Sequence, residues 1–367
     1  MTRKQTLSSS VRASRVRGRI GAALRAWRRA GGAAALAAAL ATLAGVAGQA
    51  RAAETPARIG YIPVIGAAPV VVADREGWLR EAGVKPSFTV FESGPNMIQA
   101  LASGTIDVYV AGVAPLAVAR AKGLDVKVVA ATAIEEMTVM AGPKLAPHFE
   151  GGRTPAEAFR AFREKEGRPA RLATQPPGSV PDTTLRHWLT RVNAVDSADY
   201  EIVPMGIDAT QQALLAGAVD GATVREPADT IISARNPAIK IVALGGEMFP
   251  TQPGTVIGVS GRFLREHPEA VLALVKANIR GVKFIREAPA KAAPHIGAVL
   301  GKGLIADDII EKALASPATK LEADPSVIIG PTQKMQQFQV ELGAIPQALP
   351  LDGLFDVTFY EKAKAAE

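Results

Sequence analysis

Residues 91–131 read FESGPNMIQALASGTIDVYVAGVAPLAVARAKGLDVKVVAA, a stretch in which short apolar runs alternate with amphipathic ones. The spacing predicts a helix over 96–103 that ends at Gly104 and a strand over 106–110, because glycine is common just past a helix end. The same unit follows, with a helix over 115–122, Gly123 and a strand over 126–131. Strands that alternate with helical stretches are typical of βαβ units in a mainly parallel sheet. We therefore predict an α/β fold.

The same order of residues recurs 113 positions further along the chain. In each copy a helix containing Gln-Ala-Leu ends at a glycine and leads through an aspartate into the next strand. Isolated matches of this kind arise from shared helix and strand chemistry, but here the register persists through the whole following helix. Two similar α/β lobes are therefore predicted. The matched positions are Gln99–Leu101 with Gln212–Leu214, Gly104 with Gly217, Asp107 with Asp220, and Lys127–Ala130 with Lys240–Ala243.

The two lobes are predicted to be interleaved along the chain. We expect lobe one to begin over 53–137, lobe two to span 138–258, and the helical segment 259–367 to return to lobe one. The segments Thr138–Ala141 and Thr255–Ser260 are β-rich and far apart in sequence. We interpret them as the two connecting strands of a hinge.

Apolar residues form two helical stripes along the C-terminal segment. One passes through Val271, Leu274 and Ile285, and the other covers Met335, Phe338 and Leu342. Such stripes are typical of helices that bury one face in a core. We expect both to pack against lobe one and assign them no chemistry.

The basic residues of this chain are concentrated at its start. The 367 residues include 42 Lys and Arg against 35 Asp and Glu, a formal net charge of +7. Ten of the basic residues and none of the acidic ones lie within 1–52, so the rest carries a net charge of −3. Affinity for nucleic acid depends on clustered Lys and Arg. We therefore predict no nucleic-acid partner.

The first 52 residues are expected to be a signal peptide. A basic stretch precedes an Ala- and Leu-rich run over 31–48, and Ala50 and Ala52 supply the small residues that precede a cleavage site. Cleavage after Ala52 would send the rest of the chain to the periplasm. The pair Arg28–Arg29 leaves twin-arginine export open beside the general route. The alternative is a membrane anchor, which an Ala- and Gly-rich run of minimal length disfavours.

Signatures of catalysis and of metal binding are missing from the sequence. The chain has no Cys, which excludes disulfides, thiolate metal ligands and cysteine nucleophiles. Its four histidines, His148, His187, His267 and His295, lack metal-binding spacing. We therefore predict no enzyme, no catalytic residue, no metal and no cofactor. A periplasmic enzyme with a reactive residue of another kind stays open as an alternative.

A small-molecule ligand is expected in a cleft between the lobes, outside the carboxyl ends of their strands. Small residues there permit close backbone approach, and free amides in first helical turns favour an anion. An apolar contact is expected from Tyr61 or Trp188. The lobe-one candidates are Tyr61, Gly66, Ala67, Ser93, Asn96, Gly112, Val113 and Thr132, and those of lobe two are Gln175, Gly178, Ser179, Val180, Arg225 and Glu226.

Several candidates have a second interpretation. Ser179 can offer its hydroxyl and backbone amide to an anion or cap the helix that follows, and the two roles are compatible. Glu135 and Glu136 are expected to be solvated charges on the rim of the cleft. The loops expected to face the cleft carry several acidic residues and one obvious cation, Arg225. This balance favours a ligand that combines an amine with an anionic group, or a neutral polar heterocycle.

Longer motifs carry a family resemblance. They are GYIPVIGAAPVVVADREGWLREAG at 60–83, the quoted stretch at 91–131, GAVDGATVREPADTII at 217–232 and GVSGRFLREHPEAV at 258–271. In this order they resemble the NMT1-like periplasmic binding proteins that serve ABC importers of nitrate, sulfonates and taurine. The resemblance covers nearly the whole chain after the leader. Arg225 departs from that group, which usually has an aromatic residue before the Glu-Pro pair.

The resemblance implies both a fold and a function. The fold would be a type II periplasmic binding protein, with two lobes that each hold a mainly parallel sheet flanked by helices. The protein would be a monomer that delivers an alkanesulfonate- or taurine-like anion or zwitterion to a permease and its ATPase. Glu226 would point into the cleft rather than tie the hinge. A thiamine-precursor-like pyrimidine or an aromatic acid as ligand, and a signalling sensor as partner, are the alternatives.

Overall fold

A computed structural model describes residues 54–301 and 303–366 of the chain. The strands are β1 (Thr55–Tyr61), β2 (Val84–Val90), β3 (Val108–Gly112), β4 (Val126–Ala131), β5 (Ala133–Ile134), β6 (Thr138–Ala141), β7 (Ala170–Thr174), β8 (Tyr200–Pro204), β9 (Gly221–Val224), β10 (Lys240–Leu244), β11 (Thr255–Ser260) and β12 (Lys320–Leu321). The predicted signal peptide lies outside the described residues.

Helices fill the connections between these strands. The α-helices are α1 (Ala68–Arg75), α2 (Trp78–Glu81), α3 (Gly94–Ala102), α4 (Ala114–Ala121), α5 (Pro155–Glu166), α6 (Val180–His187), α7 (Ile207–Leu215), α8 (Ala228–Arg235), α9 (Gly245–Met248), α10 (Gly261–Glu266), α11 (Pro268–Glu287), α12 (Pro289–Leu300), α13 (Asp307–Leu314), α14 (Ile329–Glu341) and α15 (Thr358–Lys364). Shorter helical turns cover Ile65–Ala67, Ala146–Phe149, Trp188–Val192, Pro325–Ile328 and Leu351–Gly353. In the described part of the chain, no helix is long and apolar enough to cross a membrane.

Two five-stranded sheets have the same topology. The first has the order β2-β1-β3-β11-β4, in which only β11 runs antiparallel to its neighbours. The second has the order β8-β7-β9-β6-β10, in which only β6 does so. The matched segments of sequence occupy equivalent places, since β3 corresponds to β9 and β4 to β10. The predicted α/β fold with two similar, mainly parallel lobes is confirmed.

The repeated aspartates hold equivalent positions in the two lobes. Asp107 accepts hydrogen bonds from Arg58 Nε at 2.7 Å and Nη2 at 2.6 Å, and from the Arg58 backbone N–H at 3.2 Å. Asp220 accepts from Arg168 Nη1 at 2.6 Å and Nη2 at 3.0 Å, and from the Arg171 backbone N–H at 2.9 Å. Each carboxylate thus fixes one strand, β1 or β7, to the loop that precedes the neighbouring strand, β3 or β9.

The interpretation of Thr138–Ala141 and Thr255–Ser260 as connecting strands needs correction. These segments are β6 and β11, and each lies inside a sheet as its one antiparallel strand. The chain instead crosses between the lobes just before them, over 132–137 and 250–254. The two crossings pair through the hydrogen bond from Glu135 N to Gln252 O at 2.9 Å. Strands β6 and β11 lie inside the sheets because an apolar strand can bury both of its faces only there.

The two C-terminal stripes pack on different lobes. Helix α11 buries Val271, Leu274 and Ile285 in the core of lobe one, as expected. It approaches α1 closely because Gly281 leaves room for the backbone of Pro69. The expectation is wrong for α14, which contacts both α4 and α6. Its Met335 belongs to the core of lobe two, because the helix lies across the junction of the lobes.

Candidate functional site

A cavity of about 440 Å³ opens between the two lobes. It lies at the carboxyl ends of the parallel strands, where α/β proteins bind ligands. Lobe one contributes the segments after β1 and β2, and lobe two those after β7 and β9 together with helices α7 and α8. A further wall comes from the end of α12 and the loop that follows it. Of the fourteen candidate residues, Gln175 and Arg225 line this cavity directly.

Arg225 anchors the buried end of the cavity. Its side chain is 3% exposed, and its Nη1 donates a hydrogen bond to Glu136 Oε1 at 3.0 Å. Thr255 Oγ1 donates to the same oxygen at 2.6 Å. Glu136 belongs to the hinge and Arg225 directly follows β9 of lobe two, so this ion pair fixes the end of β9 to the hinge. Because Glu136 balances the charge, the cavity receives a hydrogen-bond donor from Arg225 without a full net positive charge.

Several buried polar atoms near the junction have no hydrogen-bond partner among the described residues. Arg225 Nε and Gln175 Oε1 lie on cavity-lining residues, and Thr132 Oγ1 and Gln252 Oε1 lie at the lobe connection. Buried polar groups in native proteins are nearly always satisfied. Arg225 and Gln175 therefore keep unused hydrogen-bonding capacity beside the cavity.

The two lobes touch at both sides of the cavity. A Cβ added to Gly112 of lobe one would lie 2.6 Å from Cγ2 of Val180 in lobe two, so only glycine fits at this contact. On the other side, the Glu92 backbone oxygen accepts from Ile207 N at 3.3 Å and Glu92 Oε2 from Asp208 N at 3.5 Å. A lobe-one carboxylate thus meets the first turn of a lobe-two helix, where negative charge is favoured.

Three of the candidates serve as local helix caps. Ser179 Oγ accepts a hydrogen bond from Asp182 N at 3.3 Å, and Ser93 Oγ accepts from Asn96 N at 3.4 Å. The Gly178 N–H donates to Asp182 Oδ2 at 3.3 Å from a left-handed turn with φ of 81°. The capping interpretation of Ser179 is therefore the one that the structure displays. Asn96 lies in the first turn of α3 and does not line the cavity.

Other candidates lie in the cores or beside the hinge. Tyr61 packs edge-on against Phe88 and belongs with Ala67 to the core of lobe one. Trp188 packs against Phe159 in the core of lobe two. The expected apolar contact from Tyr61 or Trp188 is corrected accordingly, because both rings find apolar neighbours inside a lobe. Val113 is likewise buried in a lobe-one core, whereas Gly66 lies against Glu136 and Thr255.

Glu226 ties the hinge instead of pointing into the cavity. Its carboxylate accepts hydrogen bonds from Thr230 N at 3.1 Å and from Thr230 Oγ1 at 2.9 Å, which caps helix α8. Its backbone oxygen accepts from Ile65 N at 2.8 Å and so joins the lobes. The position implied by the family resemblance is corrected, because the first turn of α8 offers this carboxylate nearer donors than a ligand would.

The expectation for Glu135 and Glu136 is also wrong. Glu136 is 4% exposed and belongs to the buried pair with Arg225. Glu135 pairs with Lys320 of the short strand β12. Lys320 reaches Glu135 because β12 and β5 pair over the hinge, a contact between segments nearly two hundred residues apart.

Asp229 makes the stability of the fold depend on pH. Burial, together with the neighbouring Glu226, raises the pKa of Asp229 well above its ordinary value. A carboxyl group with a raised folded-state pKa contributes stability at low pH and loses it as pH rises through that pKa.

We expect Asp229→Asn to raise the Tm at pH 8 by several degrees, at about 2–4 °C per kcal/mol, and to have little effect at pH 4. Thermal unfolding at both pH values measures this. The exposed Asp352→Asn is the control, and an Asp229→Asn variant less stable than the parent at pH 8 would contradict the assignment.

Sequence reasoning missed two features of the site. The first is the role of Glu136, whose only sequence signal is its place before a buried strand. The second is the wall formed by Leu300, Leu304 and Ile305, which line the cavity from a helical segment far along the chain. In the part of the chain that the structure describes, no group of three or more His, Asp or Glu side chains is placed to hold a metal ion.

Comparison with known proteins agrees with this architecture. A family model described as the NMT1-like family matches residues 50–299, more than half of the chain. The chain belongs to the NMT1-like family. Members of the two-lobed periplasmic binding fold are also its structural neighbours. The periplasmic nitrate-binding protein of Synechocystis superposes with a TM-score of 0.69 at 15% identity, covering 85% of this chain and 89% of that one.

Curated relatives of this NMT1-like protein come from transport systems. A putative aliphatic sulfonates-binding protein of Bacillus subtilis is 23% identical over 80% of this chain and 84% of its own length. The bicarbonate transport ATP-binding protein of Synechocystis is 28% identical over 62% of this chain. The match spans about a third of that longer relative, 34% of its length. These similarities fix the fold and family, and the ligand has to be argued from the cavity.

Proposed function

We propose that this NMT1-like protein is the solute-binding component of an ABC importer. It would capture a small organic anion or zwitterion between its lobes and deliver it to a membrane permease served by an ATPase. The observation that carries the proposal is the cavity between the lobes at the carboxyl ends of their strands, which Arg225 and Gln175 line from lobe two. The printed functions of the relatives, in sulfonate binding, nitrate binding and bicarbonate transport, support it.

The residues that line the cavity are suited to binding a solute without reacting with it. Among the described lining residues there is no Ser, Cys, His, Lys or Tyr to act as nucleophile or base. Thr223 Oγ1 is already bonded to Thr174 Oγ1 at 2.6 Å. Glu92 and Asp208 lie exposed at the outer edge. We propose retention of an unchanged solute.

Closure would operate as a population shift. A ligand that contacts Val64 of lobe one together with Arg225 of lobe two binds the closed form better than the open one. That difference in affinity moves the hinge. We further propose that the protein acts as a monomer in the periplasm after removal of residues 1–52. Lobe one would then comprise 53–137 with 259–367, and lobe two 138–258, except that β11 places residues 255–258 in the lobe-one sheet.

Calorimetric titration of the purified protein with taurine, short alkanesulfonates, nitrate, bicarbonate and aromatic acids tests the proposal. We expect binding at about micromolar Kd, or about 8 kcal/mol, by at least one organic anion or zwitterion. Mass analysis of the recovered solute is expected to show no change. A protein that retains none of these compounds, or that converts one of them, would refute the proposal.

Gly112→Val is expected to weaken this binding while leaving the fold intact. The added side chain would overlap Val180 in the conformation that the structure describes, where a Cβ at Gly112 lies 2.6 Å from Val180 Cγ2. Overpacking costs about 1–3 kcal/mol, which corresponds to a Kd that is about 5- to 150-fold weaker. The Tm of the ligand-free protein should change little, because opening the cleft relieves the overlap. Gly330→Val, at a glycine with open space around it, is the control. Equal affinity of Gly112→Val and the parent would contradict closure by this contact.

A further inference from the structure

Helix α14 and the turn that follows it, residues 329–349, form a third link between the lobes, here named the strap. The flanks of the strap are both held on strand β4 of lobe one. Before the strap, Ala323 O accepts a hydrogen bond from Ala131 N at 3.2 Å. After it, Leu354 O accepts from Val128 N at 2.8 Å. The strap therefore starts and ends on lobe one.

The middle of the strap is docked on lobe two. Met335 is 1% exposed and belongs to the lobe-two core. Phe338 packs edge-on against His187 of α6, with ring centroids 5.1 Å apart. Glu341 forms an ion pair with Arg191, which follows α6. Because lobe one holds both ends of the strap and lobe two holds its middle, the lobes can separate at α6 only if α14 undocks.

A stripe of buried polar side chains runs along α14 beside these docking residues. Thr332, Gln336 and Gln339 lie at positions i, i+4 and i+7 of the helix, and each is at most 1% exposed. Thr332 Oγ1, Gln336 Nε2 and both amide atoms of Gln339 have no hydrogen-bond partner among the described residues. A buried polar group without a partner costs free energy that contact with water would recover. Gln339 therefore carries this cost for a whole amide group.

The strap thus contains contributions of opposite sign. The apolar contacts of Met335 and Phe338 favour docking, whereas hydration of the polar stripe favours release. A helix that stays in one lobe has no such stripe, since α1 of lobe one buries only apolar residues. Opposing contributions of this kind bring two conformations close in free energy, which is the condition for a switch that a ligand can shift.

We propose that the strap holds the lobes closed when α14 is docked on α6, and that its release, in which the polar stripe gains water, accompanies opening. A solute that binds the closed conformation has an apparent Kd that rises as the closed fraction falls, by the same factor for every solute. No residue within 329–349 is among the described residues that line the cavity. The strap would therefore set affinity without contact with the ligand.

A pair of spin labels across the mouth of the cavity tests this without a ligand. The chain has no Cys, so cysteines introduced at the exposed Thr89 of lobe one and Ala209 of lobe two can be labelled alone. These positions adjoin Val90 and Asp208, which line the cavity from opposite lobes, so opening lengthens the distance between the labels. We expect Phe338→Ala to shift the population toward the longer distance.

Two variants should change affinity in opposite directions. Phe338→Ala is expected to weaken the Kd about tenfold, as a tenfold loss of the closed fraction predicts. The factor should be the same for each of taurine, butanesulfonate and nitrate that binds the parent. Gln339→Met removes both unpartnered amide atoms from a side chain of similar length. It should raise the Tm, enlarge the short-distance population and tighten the Kd about fivefold, within the usual cost of an unpaired buried group.

Phe263→Ala is the matched control, because Phe263 is 3% exposed within the core of lobe one and Phe338 is 6% exposed. It should lower the Tm and leave the label distances and every Kd unchanged. If Phe338→Ala does not fold, Gln339→Met tests the strap in the opposite direction.

Label distances that stay the same in Phe338→Ala, or that shift equally in Phe263→Ala, would overturn the proposal. A Phe338→Ala variant that weakens one ligand and not another would also overturn it, because the strap would then act on the ligand itself. Unchanged distances in Gln339→Met would overturn the role of the polar stripe. The affinity readout rests on the proposed function, but the distance readout does not. Distances that shift as expected in a protein that binds none of the compounds would uphold the strap while the proposed function fails.

Discussion

Replacement of Arg225 by methionine is expected to lower the free energy of unfolding by about 3–5 kcal/mol, the usual cost of breaking a buried ion pair from one side. The substitution leaves the Glu136 carboxylate 4% exposed with Thr255 as its remaining side-chain partner. A buried carboxylate without its cation is strongly disfavoured, and the hinge segment that carries it must shift or take up a proton. Chemical denaturation followed by fluorescence measures the change. The same variant should lose ligand binding, because the guanidinium group of a cavity-lining residue is removed.

A double variant separates the two roles of Arg225. Glu136→Gln combined with Arg225→Met removes both charges, so most of the lost stability should return while ligand binding stays absent. The matched control is Arg235→Met, which removes an exposed arginine from the lining of the same cavity. We expect that control to change stability by less than about 0.5 kcal/mol. Equal stability losses in Arg225→Met and Arg235→Met would show that the buried pair does not stabilise the hinge.

The second large effect is expected at the repeated aspartates. Asp107→Ala should cost about 2–3 kcal/mol, because hydrogen bonds to charged groups contribute about 1.5–3 kcal/mol each and the exposed Arg58 side chain recovers part of this from water. The carboxylate is 4% exposed and joins Arg58 to the loop before β3, with Arg262 Nη2 a further donor at 3.3 Å. Asp220→Ala should cost a similar amount, since its bonds to Arg168 are equivalent.

Asp125→Ala provides the control for both variants. Asp125 also pairs with an arginine, Arg265, at 2.6 Å, but both side chains are more than half exposed. Exposed pairs of this kind contribute about 0–1 kcal/mol. Urea denaturation of the three variants compares them directly. A loss at Asp107 no larger than that at Asp125, or a large loss at only one of the repeated aspartates, would contradict their equivalence.

Local sequence was sufficient to predict several of the strands and the internal repeat. The strands predicted over 126–131, Thr138–Ala141 and Thr255–Ser260 have the bounds observed for β4, β6 and β11. Such segments are identified by apolar runs bounded by glycine, proline and charge, which are properties of neighbouring residues. The offset of 113 residues also related the two sheets to each other. Two sheets of the same topology have the same residue types at equivalent positions of their strands and helices.

The candidate site was less predictable, because its parts are far apart in sequence. Arg225 and Gln175 follow strands and were found by the rule that ligands bind at the carboxyl ends of a sheet. Tyr61 and Trp188 satisfied the same rule, yet their rings face apolar cores inside the lobes. Which way a side chain at a strand end points depends on the packing of helices from elsewhere in the chain, and this packing leaves no local signal.

The amino-acid sequence by itself determined the α/β class and the repeat that relates the two sheets, since these follow from periodicity and from glycine and proline positions. Tertiary structure decided that Glu136 neutralises Arg225, that Glu226 caps a helix, and that the loop after α12 forms a wall of the cavity. Each of these contacts joins residues separated by many elements. Their free energy comes from burial and charge pairing that exist only once both sheets and the C-terminal helices have assembled.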